Sequence, residues 1–409
     1  MGLQYRQVPS LPLPMFTPKT FSRARENDII MNTETISGVT LEKALTEKLR
    51  ELLTSMPELT GWKVERNPAA FDRAFDIEAR VPLPGGITVE FWVECNSDPR
   101  PSRFPYVNVS KYFGPSGIKL ARVAVFAAPY ISPNMGEVCR EHNWSWFDLA
   151  GNCHFSVPGI PFRLERSGQE PVHAVPRPMA NLSTPESARV VRALLAPANA
   201  GRRWIQREMA EHFGQQNPPL SQPSLALVNK VVQHLRNESY IEAHPDGGFR
   251  LRKPVELLTA WRNAYRFDRH QMRPYFTLLQ GDRLHEALRS LKSSTGGQVA
   301  LAAFSAAEYQ APHVRQPREW LFVSAEHEER FQSALEAKVV DSPGYNLSIL
   351  IPDDDGVFYL ADDKADRLPC TNPVQTYVDL FNCKGRGEEA AEALLEQNLK
   401  PAWQAKGLL

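Results

Sequence analysis

Cysteine is scarce in this chain: five residues among 409, an odd number, and no two in a C-x-x-C pair. That count and spacing argue against a disulfide scaffold and a zinc ribbon. Cys139-x-x-His142 followed by Cys153-His154 offers four metal-ligand types, but adjacent residues point to opposite faces of a strand, so buried thiols and ordinary histidines are expected there. No apolar run approaches the ~18 residues of a membrane span. The N-terminal MGLQYRQVPSLPLPMF carries prolines and charges where a signal peptide has an apolar core, so a cytoplasmic protein is expected. A phosphate loop, a G-x-S-x-G elbow, an H-E-x-x-H motif and internal repeats are all missing, and nothing calls for a cofactor.

What is present is soluble globular material, 42% hydrophobic and 23% charged, too long for a single compact core. Lysine plus arginine balances aspartate plus glutamate, 47 against 47, but not evenly along the chain. Residues 1–182 carry a net +1, residues 183–274 a net +6 and residues 275–409 a net −7. A basic middle between a neutral and an acidic segment points to a nucleic-acid contact in the middle.

Residues 1–37 have prolines, a basic patch (Lys19, Arg23, Arg25) and no sustained period, and read as an N-terminal arm. Residues 38–166 begin with an amphipathic helix that Thr40 can cap, its face formed by Leu41, Leu45, Leu49, Leu52, Leu53 and Met56. Strand-like runs follow at 62–65, 75–81, 87–95 and 106–110. Then come a short helix, the apolar run 123–128, a helix near Met135 to Glu141, and two strands about a Gly151-Asn152 turn. This is an α/β module of ordinary domain size. Residues 167–182, with three prolines, read as a linker.

Residues 183–254 predict three helices and a hairpin. Ser183-Thr184-Pro185-Glu186 starts the first helix, RRWIQREMAEHFG forms a short second one closed by Gly214, and SLALVNKVVQHLRNESYI a third. On the third, Leu225, Val228, Val231, Val232 and Leu235 are expected inward, with Asn229, Lys230, Gln233 and His234 outward. IEAHPDGGFRLR reads as two strands about Asp246-Gly247-Gly248, ending in Arg250, Arg252 and Lys253. These are the parts of a winged helix-turn-helix, with polar groups for a major groove and arginines for phosphates. The bland alternative is a winged helix used only to join domains or to dimerise.

Residues 255–409 open with a helix bearing Leu257, Leu258, Trp261 and Tyr265. Short strands (YFTLL, QVALAAF, EWLFV, NLSILI, VFYLA) then alternate with helices at 282–292, 326–338, 373–382 and 388–399, a C-terminal α/β domain. The run Asp353-Asp354-Asp355-Gly356 between two strands is read as a solvated loop. The fold class expected is α/β multidomain.

Two stretches carry resemblances. Asp76 and Glu94, near the start and end of neighbouring strands, could hold one divalent cation, and a metal-dependent nuclease places a lysine two residues after the second carboxylate. Residues 38–166 thus resemble the PD-(D/E)xK restriction-endonuclease-like fold, but Asn96 stands at the lysine position and cannot supply its charge. The module is expected to be inactive unless Lys111 or Lys119 restores the site. Equally, Asp76 and Glu94 could be surface charges on half-exposed strands. The order ARVVRALLA, RRWIQREMAEHFG, LVNKVVQHLRNESYI, FRLRKPVELLTAWRNAY, AAFSAAEYQAPHV, TNPVQTYVDLFNCKGRGEEAAEALL resembles the AbiEi-like antitoxins of type IV toxin-antitoxin systems over residues 184–400. The resemblance implies a non-enzymatic regulator that represses its own operon through inverted repeats in double-stranded DNA, a pattern that suits a homodimer. It also implies a C-terminal domain counteracting a nucleotidyltransferase-like toxin. Carried over by position, the DNA-binding candidates are Arg202, Arg203, Ser224, Asn229, Lys230, Gln233, Arg250 and Arg252. The rival reading is a metal-dependent defence nuclease targeted by its winged helix; a third is a scaffold without DNA contact.

Overall fold

A computed structural model describes residues 38–66, 75–83, 85–105, 120–171, 180–295, 298–340, 344–361 and 368–409. The expected arm, the strand at 106–110, the short helix after it, Lys111, Lys119 and part of the linker lie outside the described residues.

Helix α1 (Gly38–Thr54) buries Leu41, Leu45, Leu49, Leu52 and Leu53, the stripe that 3.6-residue periodicity demands. Thr40 lies inside its first turn and is not its cap. The sheet beneath it runs β1 (Lys63–Arg66), β2 (Ile77–Leu83), β3 (Ile87–Cys95), β4 (Leu120–Ala128), β5 (Ser145–Asp148), β6 (Cys153–Val157) and β7 (Ile160–Arg166), in that spatial order. Pairings are antiparallel except β3 with β4 and β4 with β5, which are parallel. Central β4 is covered on both faces, as parallel strands usually are. Val123, Val125 and Ala127 pack with α1, whereas Ala124, Phe126 and Ala128 pack with helix α2 (Pro133–Glu141) on the other side. The expected turn between β5 and β6 is present, and buried Asp148 accepts from the amides of Gly151 and Asn152, both at 2.9 Å. The start of the linker is tied down rather than loose: the Gln169 amide donates to Asn152 Oδ1 at 2.8 Å.

The central unit contains α3 (Pro185–Leu195), α4 (Gln206–Glu211) and α5 (Leu225–Asn237), then the hairpin β8 (Ile241–Ala243) and β9 (Phe249–Leu251). Trp204, just before α4, exchanges both backbone hydrogen bonds with Phe249, each 2.8 Å, and so adds a third, one-residue strand to the hairpin. This close approach requires Gly248: its φ is +83°, and a Cβ there would lie 2.2 Å from the Trp204 carbonyl oxygen.

The remainder holds α6 (Pro254–Ala264), β10 (Gln271–Phe276), α7 (Asp282–Thr295), β11 (Val299–Leu301), α8 (Ala303–Gln310) and β12 (Glu319–Val323). It continues with α9 (Glu328–Ala334), β13 (Lys338–Val339), β14 (Leu347–Ile351), α10 (Pro373–Asn382), α11 (Gly387–Leu394) and α12 (Lys400–Gln404). The sheet order is β11-β12-β14-β10-β13, with β12 and β14 parallel. Leu284 and Leu288 of α7 and Phe331 of α9 pack on one face. Trp320, Phe322 and Leu350 face the other way, into a core shared with α8 and α10. VFYLA is not a strand, because its first two residues close a 3₁₀ turn (Asp355–Phe358) capped by Asp354 and the chain turns again at the next two. QVALAAF stops pairing at Leu301, and its last residues enter α8. The helix at 388–399 ends in a π turn (Leu395–Leu399) ahead of Pro401, which has no N–H to continue the α ladder.

One apolar cluster extends from Ala180 to Trp403 and takes in α3, α4, α5, the hairpin, α6, α8, α10, α11 and α12. The boundary expected at 254/255 coincides with the start of α6, but the packing does not break there. The N-terminal module has apolar clusters of its own, and Asn134 and Glu141 of its α2 hydrogen-bond to the central unit.

Candidate functional site

The central unit exposes one side of α5. Its Ser224 caps the helix, Oγ accepting from the Leu227 amide at 3.2 Å. Val228, Val231, Val232 and Leu235 are buried as expected, while Ala226, Asn229, Lys230 and Arg236 are exposed. Asn229 Oδ1 accepts from Gln206 Nε2 at 3.1 Å, fixing α5 to α4. Three expectations fail. Leu225 is 47% exposed rather than inward, because the first turn of α5 projects beyond the core. Gln233 and His234 are only partly exposed, because the far end of the helix meets the N-terminal module. There the 3₁₀ turn Pro101–Arg103 lies against α5, and Asn134 Nδ2 donates to the backbone oxygen and to Oε2 of Glu238, both at 3.1 Å. Burial and then nearby Arg100 lower the His234 pKa, and burial raises that of Glu238. Coverage thus falls on the C-terminal end of α5, and its N-terminal half stays open.

The cations divide by what they touch. Arg202 stacks on the Trp204 ring at 3.8 Å. Arg203 Nη1 donates to the carbonyl oxygens of Asp246 and Gly247, at 2.9 and 3.4 Å, bracing the hairpin tip. Arg250 sits opposite Glu242 in the hairpin register and pairs with it at 2.6 Å, so its charge is balanced. Lys253 Nζ donates to both carboxylate oxygens of Glu141 on α2, each 2.9 Å. Arg252, Lys230, Arg207 and Arg236 are exposed and have no ion-pair partner among the described residues. Arg207 and Arg236 were missed from sequence, although Arg236 lies seven residues after Asn229 and so on the same helical side. Exposed Glu208, Glu211 and Asp246 temper the positive field.

Behind this unit is a buried polar network that sequence reasoning did not anticipate. The Asp353-Asp354-Asp355-Gly356 run is not a solvated loop. Asp354 is buried against Arg189 of α3, with Arg192 Nη1 4.0 Å away. Asp355 accepts from the Ser221 amide and hydroxyl at 2.8 and 2.6 Å, pinning the proline-rich connection that leads into α5. Arg192 Nε donates to Gln375 Oε1 at 2.9 Å. Gln375 Nε2 and the Tyr265 hydroxyl both donate to Asp379 Oδ1 at 2.8 Å, and the same hydroxyl is 2.7 Å from His270 Nε2. Burial pushes Asp379 up to about 7 and His270 down to about 4. The distinctive PVQTYVDL segment is therefore interior: its polar residues join α10 to α3 and α6. Gly387 after it allows close packing, since a Cβ there would lie 2.2 Å from the Leu380 carbonyl oxygen.

The N-terminal carboxylates do come together. Asp76 Oδ2 accepts from the Cys95 amide at 2.8 Å, and burial followed by the Asp76 charge raises Glu94 to about 7. Asn96 uses its Oδ1 to accept from the Asp98 amide at 2.8 Å, an interaction local to its own turn. Among the described residues no group of three or more His, Cys, Asp or Glu side chains is placed to hold a metal ion. Among the described residues, then, the pair has neither the cation of the nuclease motif nor a third ligand beside it. Cys139 and Cys153 are buried thiols raised by desolvation.

Among the described residues no helix is long and apolar enough to cross a membrane. No curated protein matches the chain, and no solved structure does. Residues 250–400, from β9 to the start of α12, match the family described as transcriptional regulator, AbiEi antitoxin, type IV toxin-antitoxin system.

Proposed function

We propose that this protein is a DNA-binding transcriptional regulator of the type IV antitoxin kind, which represses its own operon and counteracts a nucleotidyltransferase-like toxin. The unit α3, Trp204, α4, α5, β8, β9 has the element order of a winged helix, with α5 as recognition helix and the hairpin as wing. The observation that carries the reading is the open N-terminal half of α5, because recognition helices reach base edges with their N-terminal residues. Ser224, Asn229, Lys230 and Gln233 are the proposed base-edge and groove contacts. Arg202, Arg203, Arg250 and Arg252 are the proposed phosphate contacts, with Arg207 and Arg236 added. The family match supports regulation and a toxin partner, and inverted repeats suit binding as a homodimer.

Fluorescence anisotropy with DNA from upstream of the gene, against a scrambled duplex, tests this. Preference for the upstream DNA, weakened by Asn229→Ala, supports it; equal affinity for both sequences in every α5 variant sinks it. The rival nuclease reading has the Asp76–Glu94 pair in its favour and Asn96 against it. Incubation with DNA and Mg²⁺ or Mn²⁺ separates the two, since cleavage lost in Asp76→Ala and Glu94→Ala would favour the nuclease.

A further inference from the structure

Beside the covered end of α5 lies a cleft of about 350 Å³, within the size range of small-molecule sites. It opens between α2, the residues that follow α5, and α6. Its walls are chemically one-sided. Glu137, Glu238 and Glu256 line it, from three different elements, and no lysine or arginine does. Glu137 is ion-paired with Arg140 at 3.2 Å, and Glu238 accepts from Asn134, but Glu256 has no ion-pair partner among the described residues. Between the carboxylates lie the apolar surfaces of Pro133, Val255 and Ala260.

Tyr240 is an independent pointer to a ligand. It is only 5% exposed and lines the cleft, yet its hydroxyl has no hydrogen-bond partner among the described residues. The hydroxyl is not sealed from solvent, so its open hydrogen-bonding capacity is available to an occupant of the cleft. Burial raises the phenol's pKa, and the Glu238 and Glu256 charges raise it further, so both carboxylates bear on the same oxygen. Three carboxylates repel an anion. Apolar walls and the lack of a metal-ligating group among the described residues disfavour a bare metal ion.

We propose that this cleft binds a small aliphatic amine, its ammonium donating to Glu238, Glu256 and the Tyr240 hydroxyl while its methylenes lie on Pro133, Val255 and Ala260. Because Asn134 of the opposite wall is bonded to Glu238, the occupant sits at the joint between the N-terminal module and α5. The site does not depend on the DNA-binding reading.

Titration calorimetry of the full chain with spermidine tests it, with putrescine, 1,8-octanediol and magnesium chloride as comparison ligands. One saturable spermidine site per chain is expected, persisting in millimolar magnesium, with no heat from the diol. Glu256→Gln and Glu238→Gln should each weaken binding about ten-fold, the loss of one charge-assisted hydrogen bond. Thr259→Phe, which fills the cleft without altering charge, should abolish binding. If Glu238→Gln fails to fold, the other two variants decide. No saturable binding, displacement by magnesium, or unchanged affinity in Glu256→Gln and Thr259→Phe would overturn the proposal.

Discussion

Asp354→Asn perturbs the junction between the central helices and the C-terminal helices at a buried charge. The side chains of Arg189 and Asp354 are 9% and 8% exposed, and that of Arg192 is 2% exposed. Removing one member of a buried ion pair strands the other and costs about 3–5 kcal/mol. Asparagine keeps the shape and can still accept from the Gly356 amide, and Arg189 retains Asp355 at 3.2 Å. The lower end, about 3 kcal/mol, is therefore expected. With a urea slope of about 3 kcal/mol/M, that is a midpoint shift of about 1 M for the transition followed by tryptophan fluorescence. Replacing both partners, Arg189→Met with Asp354→Leu, removes the stranded Arg189 charge but leaves Arg192 without its carboxylate, so it should recover part of the loss and not all of it. A shift below about 0.2 M for Asp354→Asn, or a double variant as unstable as the single one, would refute the reasoning.

Other outcomes follow from the same packing. Asp379 has its pKa raised to about 7, so the folded state holds its proton more tightly than the unfolded chain; its favourable contribution is full below the ordinary carboxylate range and disappears as pH rises through 7. His270, lowered to about 4, runs the other way: its contribution is present above the ordinary histidine value and disappears as pH falls through 4. The two oppose each other between about pH 4 and 6.5. Asp379→Asn should therefore make stability climb with pH in that window, and His270→Phe should make it fall. Melting temperatures at a series of pH values check this, and parallel profiles for the two variants would contradict it. Gly248→Ala forces a side chain onto the Trp204 carbonyl in a left-handed conformation, so a loss above about 1 kcal/mol is expected. Faster hydrogen exchange at the Trp204 and Phe249 amides would accompany that loss, whereas unchanged exchange would mean that the hairpin is not anchored there.

Much of the architecture was legible because burial here follows local period. The α1 stripe, strands β3 and β12, the limits of α10 and the hairpin turn are all visible as 3.6- or 2-residue patterns, caps and turn glycines. What was not legible depends on partners distant in sequence. Arg189 and Arg192 fall in a helical run and look like solvent-side charges, but Asp354 and Gln375, more than 160 residues away, draw them inside. Asp353-Asp354-Asp355 looks like a polar turn until those arginines are known. His234 and Gln233 occupy outward helical positions by period, and only the docking of a separate module at that end of α5 makes them half-buried. Most DNA candidates were legible as exposed polar positions, but their pairing was not: Glu242 balances Arg250 across the hairpin, and Arg252 is left with no ion-pair partner among the described residues.

Direct evidence on the central claim would come from the salt dependence of binding to upstream DNA in the starting protein and in Arg252→Gln, Arg250→Gln and Lys230→Ala. Each phosphate contact contributes about 0.9 to the slope of log affinity against log salt. Arg252→Gln should flatten the slope by about that amount on any sequence, and Arg250→Gln by clearly less, because Glu242 already offsets its charge. Lys230→Ala should also reduce discrimination between upstream and scrambled DNA, by about 1–3 kcal/mol if it contacts a base. Binding that does not respond to salt, or slopes identical in all four proteins, would contradict the assignment of this surface to DNA.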